Sequence, residues 1–246
     1  VMNEQMERFF DIEPYRTYRD YFNVSTAIAV SQESGIGTVN TIRRTKFETT
    51  FAGGVGLRGD YSAIFNYAMK VSPVDESNLN QSLIIVTPNT IDYGGITEMW
   101  EDGSTIAFCP LSEDTYPYDA RGIIQHEAGG HGFGKLGDEY IYHNGFIEFC
   151  CPLDFATLNH GKSLGWYENL SLTGKMHEVP WSHLIFDDRY SDVVDIYEGG
   201  FKHARGVFRS EQNSCMNNNI SYFSAISREA IVKRIMEYAG ESYSFE

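Results

Sequence analysis

Arg121-Gly122-Ile123-Ile124-Gln125-His126-Glu127-Ala128-Gly129-Gly130-His131-Gly132-Phe133-Gly134-Lys135-Leu136-Gly137-Asp138-Glu139-Tyr140 is the stretch on which the reading of this chain turns. It carries two imidazoles, His126 and His131, and the carboxylates of Glu127, Asp138 and Glu139. Two imidazole nitrogens and one carboxylate oxygen make a three-ligand zinc set, with a fourth position open to water. A Glu directly after the first His stands where metal-assisted hydrolysis needs its general base.

The spacing is unusual. The common pattern is H-E-x-x-H, but here the histidines are five apart, H-E-x-x-x-H. At about 100° per residue, a separation of four leaves two side chains about 40° apart around a helix, and a separation of five leaves them about 140° apart. A regular α-helix therefore cannot offer both rings to one ion. A π-type turn, at roughly 80–85° per residue, brings them back to within about 50°. Gly129-Gly130 is where such a turn is expected, because glycine accepts unusual backbone at low steric cost. The same pair costs about 1 kcal/mol per Gly in an ordinary helix, which fits a structural requirement. Seven His in 246 residues make a close pair unremarkable by itself. The downstream acids strengthen it. Asp138, seven residues beyond His131, is the first choice of third ligand and Glu139 the second.

Upstream, residues 1–20 suggest a lead-in helix or arm. Residues 21–30, rich in Val, Ile, Tyr and Phe, predict a first strand, and residues 45–51 a second extended piece. Asp60 is a suitable cap for a helix over residues 61–71, with Ile64, Tyr67 and Ala68 on one face and Pro73 closing it. Residues 82–87 have the length and apolarity of a buried central strand. Residues 96–100 and 105–109 flank Asp102-Gly103, a hairpin signal. Downstream, residues 138–206 show few periodic patterns and are expected to be functional loops. The chain ends in a helix capped by Ser224 or Ser227, with Ile226, Ala230, Ile231, Ile235 and Met236 as its stripe. Strand, helix, strand and hairpin predict a mixed sheet carrying helices, an α/β (α+β) class.

Apolar residues make up 42% of the chain and charged residues 22%, the profile of a folded protein. A formal charge of −15 repels phosphate, so nucleic acid is excluded as a partner. No apolar run approaches the roughly 20 residues that span a bilayer. No basic and apolar leader precedes Val1, so any signal peptide is expected to have been removed or to lie outside this sequence. Cys109, Cys150, Cys151 and Cys215 admit either a disulfide or free thiols. They contain no C-x-x-C pair, which argues against a zinc ribbon.

At residues 126–140 the sequence resembles the immunoglobulin A peptidase family of zinc metallopeptidases, which follow their His-Glu motif with G-x-x-x-D-E-Y, here Gly134 to Tyr140. The longer H-E-x-x-x-H is also similar to that of dipeptidyl-peptidase III enzymes. Resemblance to the first family continues at Phe22-Asn23-Val24, Tyr93-Gly94-Gly95, Glu198-Gly199-Gly200, Gly206-Val207-Phe208-Arg209 and Asn213-Ser214-Cys215-Met216. It implies one metzincin-like catalytic domain over residues 1–246, with a twisted mixed sheet in an upper lobe, about 1–134. An irregular lower lobe, about 135–246, ends in the terminal helix, with a cleft between the lobes. Gly134 stands where metzincins turn out of the zinc helix. Their usual third-ligand position, six beyond the second His, is Gly137 here and has no side chain to offer.

The resemblance further implies one zinc ion on His126, His131 and Asp138, Glu127 as general base, and Met216 as a structural Met-turn beneath the histidines. The expected activity is a secreted or cell-surface endopeptidase acting on protein or glycoprotein. A module that keeps the metal and binds glycoprotein without turnover is the alternative, and a hydrolase of a non-peptide substrate a third reading. Either residues 96–100 or 105–109 would hold a peptide by strand addition. Tyr140 and Tyr222 are candidates for oxyanion support. His143, His160, His177, His183 and His203 are expected to be structural or surface residues.

Overall fold

The computed structural model describes residues 1–71 and 74–245, and Pro73 lies outside the described residues. The protein is α+β, and its chain divides into two compact units. The first comprises Val1–Asp11 and Arg19–Phe133, and the second Ile12–Tyr18 and Gly134–Glu246.

The first unit opens with α1 (Met2–Phe10), the lead-in helix expected from sequence. A short antiparallel pair, β1 (Thr50–Phe51) and β2 (Leu57–Arg58), precedes α2 (Tyr61–Ala68). Asp60 caps α2 by accepting the Ala63 N–H at 2.9 Å. The helix ends earlier than expected, with Met69 as its C-cap. The central feature is a mixed sheet of β3 (Leu83–Val86), β4 (Ile96–Met99) and β5 (Thr105–Phe108), in the order β3-β5-β4. β5 runs parallel to β3 and antiparallel to β4. The turn joining β4 to β5 places Gly103 at φ +96°, and the Asp102 carboxylate accepts from the Ser104 N–H at 2.9 Å.

Side chains alternate across this sheet. Ile106 and Phe108 of β5 face a cluster with Leu57 and Ile64, onto which Ile84, Val86, Ile96 and Trp100 pack. The opposite face presents smaller or polar groups, Thr97 and Ala107, paired in register, and receives the helix that bears the histidines.

Two expectations for this unit fail. Residues 21–30 form no strand, Tyr21 closing a 3-10 turn, and the rest are largely exposed, with Val24, Ile28 and Val30 at 52%, 78% and 81%. β-branched composition favours a strand only where a neighbour covers one face, and this segment has no strand partner among the described residues. The buried central strand is β5, fully buried, while β3 lies at the sheet edge and is half-buried. An apolar run alone does not separate a central strand from an edge one.

The second unit is more regular than expected. β6 (Ile141–Phe146) leads into α4 (Ile147–Cys150) and the twelve-residue α5 (Pro152–Ser163). β7 (Leu170–Ser171), α6 (Ser182–Ile185), β8 (Tyr197–Gly200) and β9 (Lys202–Arg209) follow. β9 organises a four-stranded sheet, parallel to β6 and antiparallel to β7 and β8. Residues 138–206 are therefore not a run of loops. Their periodicity was weak because α5 buries only Leu158 and Gly161, and β6 is mostly exposed. The unit closes with α7 (Cys215–Asn218) and α8 (Ala225–Ala239). Ser224 caps α8, Gly240 ends it at φ +72°, and Ile226, Ala230, Ile231, Ile235 and Met236 are all buried. Among the described residues no helix is long and apolar enough to cross a membrane.

Candidate metal centre

The histidine helix begins in the first unit as ordinary α3 (Ala120–Ile124), capped by Asp119, whose side chain accepts the Gly122 N–H at 3.0 Å. At Gln125 it widens into a π-helix that continues through Gln125–Phe133. The non-regular geometry expected at Gly129-Gly130 is present and extends to nine residues. It does what the spacing demands: His126 and His131 lie on one side, with Nε2 atoms 3.1 Å apart and rings inclined at 77°. Two nitrogens about 2.0–2.1 Å from one tetrahedral ion sit about 3.3 Å apart, so the pair fits a shared ion.

Close packing fixes this helix on the sheet. A Cβ at Gly132 would lie 2.6 Å from Leu83 Cδ1 of β3. Gln125 is fully buried and donates to the Arg8 carbonyl at 2.9 Å, tying α1 to the helix. Glu127 is half-buried. Thr97 on β4 approaches both its backbone carbonyl, at 2.8 Å, and its carboxylate Oε2, at 3.0 Å. A Cβ at Gly95 would lie 2.9 Å from Glu127 Oε1, so glycine there leaves the carboxylate its space. Sequence reasoning missed Thr97. The available signal was parity, since Thr97 is two residues from Gly95 and shares its strand face.

In the second unit, the chain leaves the helix at Gly134 and turns through Lys135, a buried lysine at φ +53°. Asn169, fully buried, spans Gly137 by accepting its N–H at 2.9 Å and donating to its carbonyl at 2.8 Å. A Cβ at Gly137 would lie 2.5 Å from Leu170 Cδ1, so no larger residue fits there. Asp138, the next residue, is 9% exposed; its carbonyl accepts from Phe201 N–H and its carboxylate lies 3.9 Å from Lys202 Nζ.

Glu139, the second choice of ligand, is engaged elsewhere. Its oxygens accept from Asn169 at 2.9 Å and from Ser214 at 2.5 Å, and its N–H donates to the Met216 carbonyl. Burial pushes its carboxyl up to about 7, against the opposing effect of those two donors. Met216 is fully buried, in a turn where Ser214 accepts its N–H at 3.1 Å. Asn169 and Ser214 gave no sign of these roles in sequence, because a buried clasp between distant segments leaves no local pattern.

Within the first unit His126 and His131 offer two imidazole nitrogens 3.1 Å apart, and Asp138 follows seven residues further along the chain. Two imidazoles and a carboxylate are a donor set that suits zinc.

The remaining histidines have other partners. His183 lies 2.7 Å from Glu229, His177 stacks on Phe186, and His143 stacks on the buried His203. His160 is exposed. The Tyr222 hydroxyl donates to Glu211 at 2.8 Å, and burial pushes it up to about 12. Tyr140 is half-buried, with its ring 4.8 Å from that of Tyr142. Cys109, Cys150, Cys151 and Cys215 form no disulfide among the described residues.

The protein is thus an α+β chain that carries paired histidine donors, suited to a metal, on a π-helix. The family model described as IgA Peptidase M64 matches residues 2–156, and this chain belongs to that family of peptidases. No curated protein matches the chain.

Proposed function

We propose that this protein is a zinc-dependent endopeptidase in which His126, His131 and Asp138 hold one zinc ion and Glu127 is the general base. The observation that carries the reading is the π-helix. A run of nine π-helical residues is rare, and this one places the two histidine Nε2 atoms 3.1 Å apart. When bound, zinc supplies a Lewis acid that lowers the pKa of a water to about 7 and polarises a carbonyl.

The chain's own residues do the rest. Thr97 holds Glu127 Oε2, and Oε1, in the space left by Gly95, takes the proton of the attacking water and returns it to the leaving amine. Of the two strands suggested for peptide binding, β5 has neighbours on both sides and is unavailable. β4 lies at the sheet edge, so an extended substrate adds there, beside Thr97 and within reach of Glu127. The family name points to immunoglobulin A, which makes extracellular protein or glycoprotein the substrate class to test first.

Glu127→Ala decides between a peptidase and a metal-retaining binding module. With zinc content and fold unchanged, cleavage of a peptide library should fall by at least about 10²-fold. Undiminished cleavage in that variant would remove Glu127 from the mechanism, and a wild-type protein that binds zinc and cleaves nothing would leave the binding module.

A further inference from the structure

We propose that Cys150, Cys151 and His203, in the second unit, form a separate metal site for one thiophilic d¹⁰ cation, zinc or Cu(I). Cys150 ends α4, Cys151 joins α4 to α5, and His203 lies on β9. One donor atom from each falls within 4.8 Å of the others. Cys150 Sγ is 3.1 Å from Cys151 Sγ and 3.5 Å from His203 Nδ1.

His203 is what makes this a site. It is fully buried, and its Nε2 lies 2.9 Å from the Asp154 carboxylate. A carboxylate accepts only from a protonated nitrogen, so Nε2 carries the hydrogen in the neutral ring and Nδ1 presents its lone pair toward Cys150. This is the tautomer and the outer carboxylate that metal-binding histidines use. Gly145 keeps the space open, since a Cβ there would lie 2.9 Å from both Cβ and Sγ of Cys150. Two thiolates and an imidazole select zinc and Cu(I) over hard cations. Zinc at about 2.3 Å from each sulfur would spread the two to about 3.8 Å, and the exposed side chain of Cys150 has room to open.

The rival chemistry is a Cys150–Cys151 disulfide. It is disfavoured, because the two Cα atoms across a trans peptide are about 3.8 Å apart and disulfides prefer about 4.4–6.8 Å. A disulfide would also leave the arrangement of His203 and Asp154 without a role.

The test uses the full chain, reduced and stripped of metal, then loaded with zinc or with Cu(I) in separate arms and counted by elemental analysis. Cadmium loading reports thiolate ligation through its ultraviolet charge-transfer band. Wild type should bind two zinc ions, and Cys150→Ser/Cys151→Ser one. His126→Ala should also bind one, with the cadmium–thiolate band intact. Asp154→Asn should weaken the cysteine site by about 10–100-fold while the fold persists. The Cu(I) arm should fill the cysteine site and spare the other. Equal ion counts in wild type and the double cysteine variant, with no thiolate band, would overturn the proposal. So would a Cys150–Cys151 disulfide that forms in preference to metal uptake. An ion lost with the cysteines but not with His126 would instead sink the catalytic-centre reading and leave this one standing.

Discussion

Thr97 and Asn169 each act on a carboxylate that matters to the motif, and single substitutions separate their effects. Thr97→Val removes the hydroxyl that reaches Glu127 Oε2 at 3.0 Å. One orienting hydrogen bond is worth about 1 kcal/mol, so kcat should fall about five- to tenfold with KM little changed, and Thr97→Ser should recover most of it. Steady-state kinetics on a peptide substrate check this, and an unchanged kcat in the valine variant would free Thr97 of any positioning role. Asn169→Ala leaves the Gly137 N–H and carbonyl and a Glu139 oxygen without their partner. Three such losses in a buried place should lower stability by about 2–4 kcal/mol. Urea unfolding reads this directly, and a loss below about 1 kcal/mol would show that the clasp is replaceable.

At the scale of elements, the π-helix Gln125–Phe133 is the piece most closely dictated by sequence. Deleting Gly129 would restore H-E-x-x-H, where an α-helix leaves the two rings about 40° apart. That variant should fold and bind zinc. Deleting Ile124, in the regular α3, should shift both histidines around the axis against the sheet and do neither. Circular dichroism with zinc counting compares them, and equal damage from the two deletions would mean the π geometry is not what the extra residue supplies. The helix was legible because ligand chemistry fixes where two side chains must meet. The strand expected at residues 21–30 was not legible in the same way, since its outcome depended on a neighbour that the described residues do not provide. α5 was missed for the opposite reason: its helical backbone is tied down by few buried side chains.

For the molecule as a whole, the proposed zinc would act on stability as well as chemistry. An ion bound only by the folded state at a hundredfold excess over its Kd adds about 2.7 kcal/mol. For a chain of this size each kcal/mol moves Tm by about 2–4 °C, so chelation should lower it by several degrees and zinc should restore it. Running the melt on Cys150→Ser/Cys151→Ser keeps the signal on the histidine site. Superimposable melting curves with and without chelator would contradict zinc as a resident ligand. Activity should vanish with the same chelator and return with the same zinc.

The sequence by itself determined which groups are proposed to react in this protein. His126, Glu127, His131 and Asp138 could be chosen from spacing, and the need for a π turn followed, because both rest on local geometry and ligand chemistry within one stretch of chain. Asp60 and Ser224 announced their helices for the same reason, since a cap acts within three residues of itself. What only the tertiary structure decided is how those groups are held. Thr97 meets Glu127 across 30 residues, Asn169 meets Glu139 across 30, and Ser214 meets Glu139 across 75. The choice of β5 over β3 as the central strand belongs here too, as does the meeting of His203 with Cys150 across 53 residues. Contacts of that range depend on which faces the packed core turns toward each other, and a residue's own neighbours in sequence carry no trace of it.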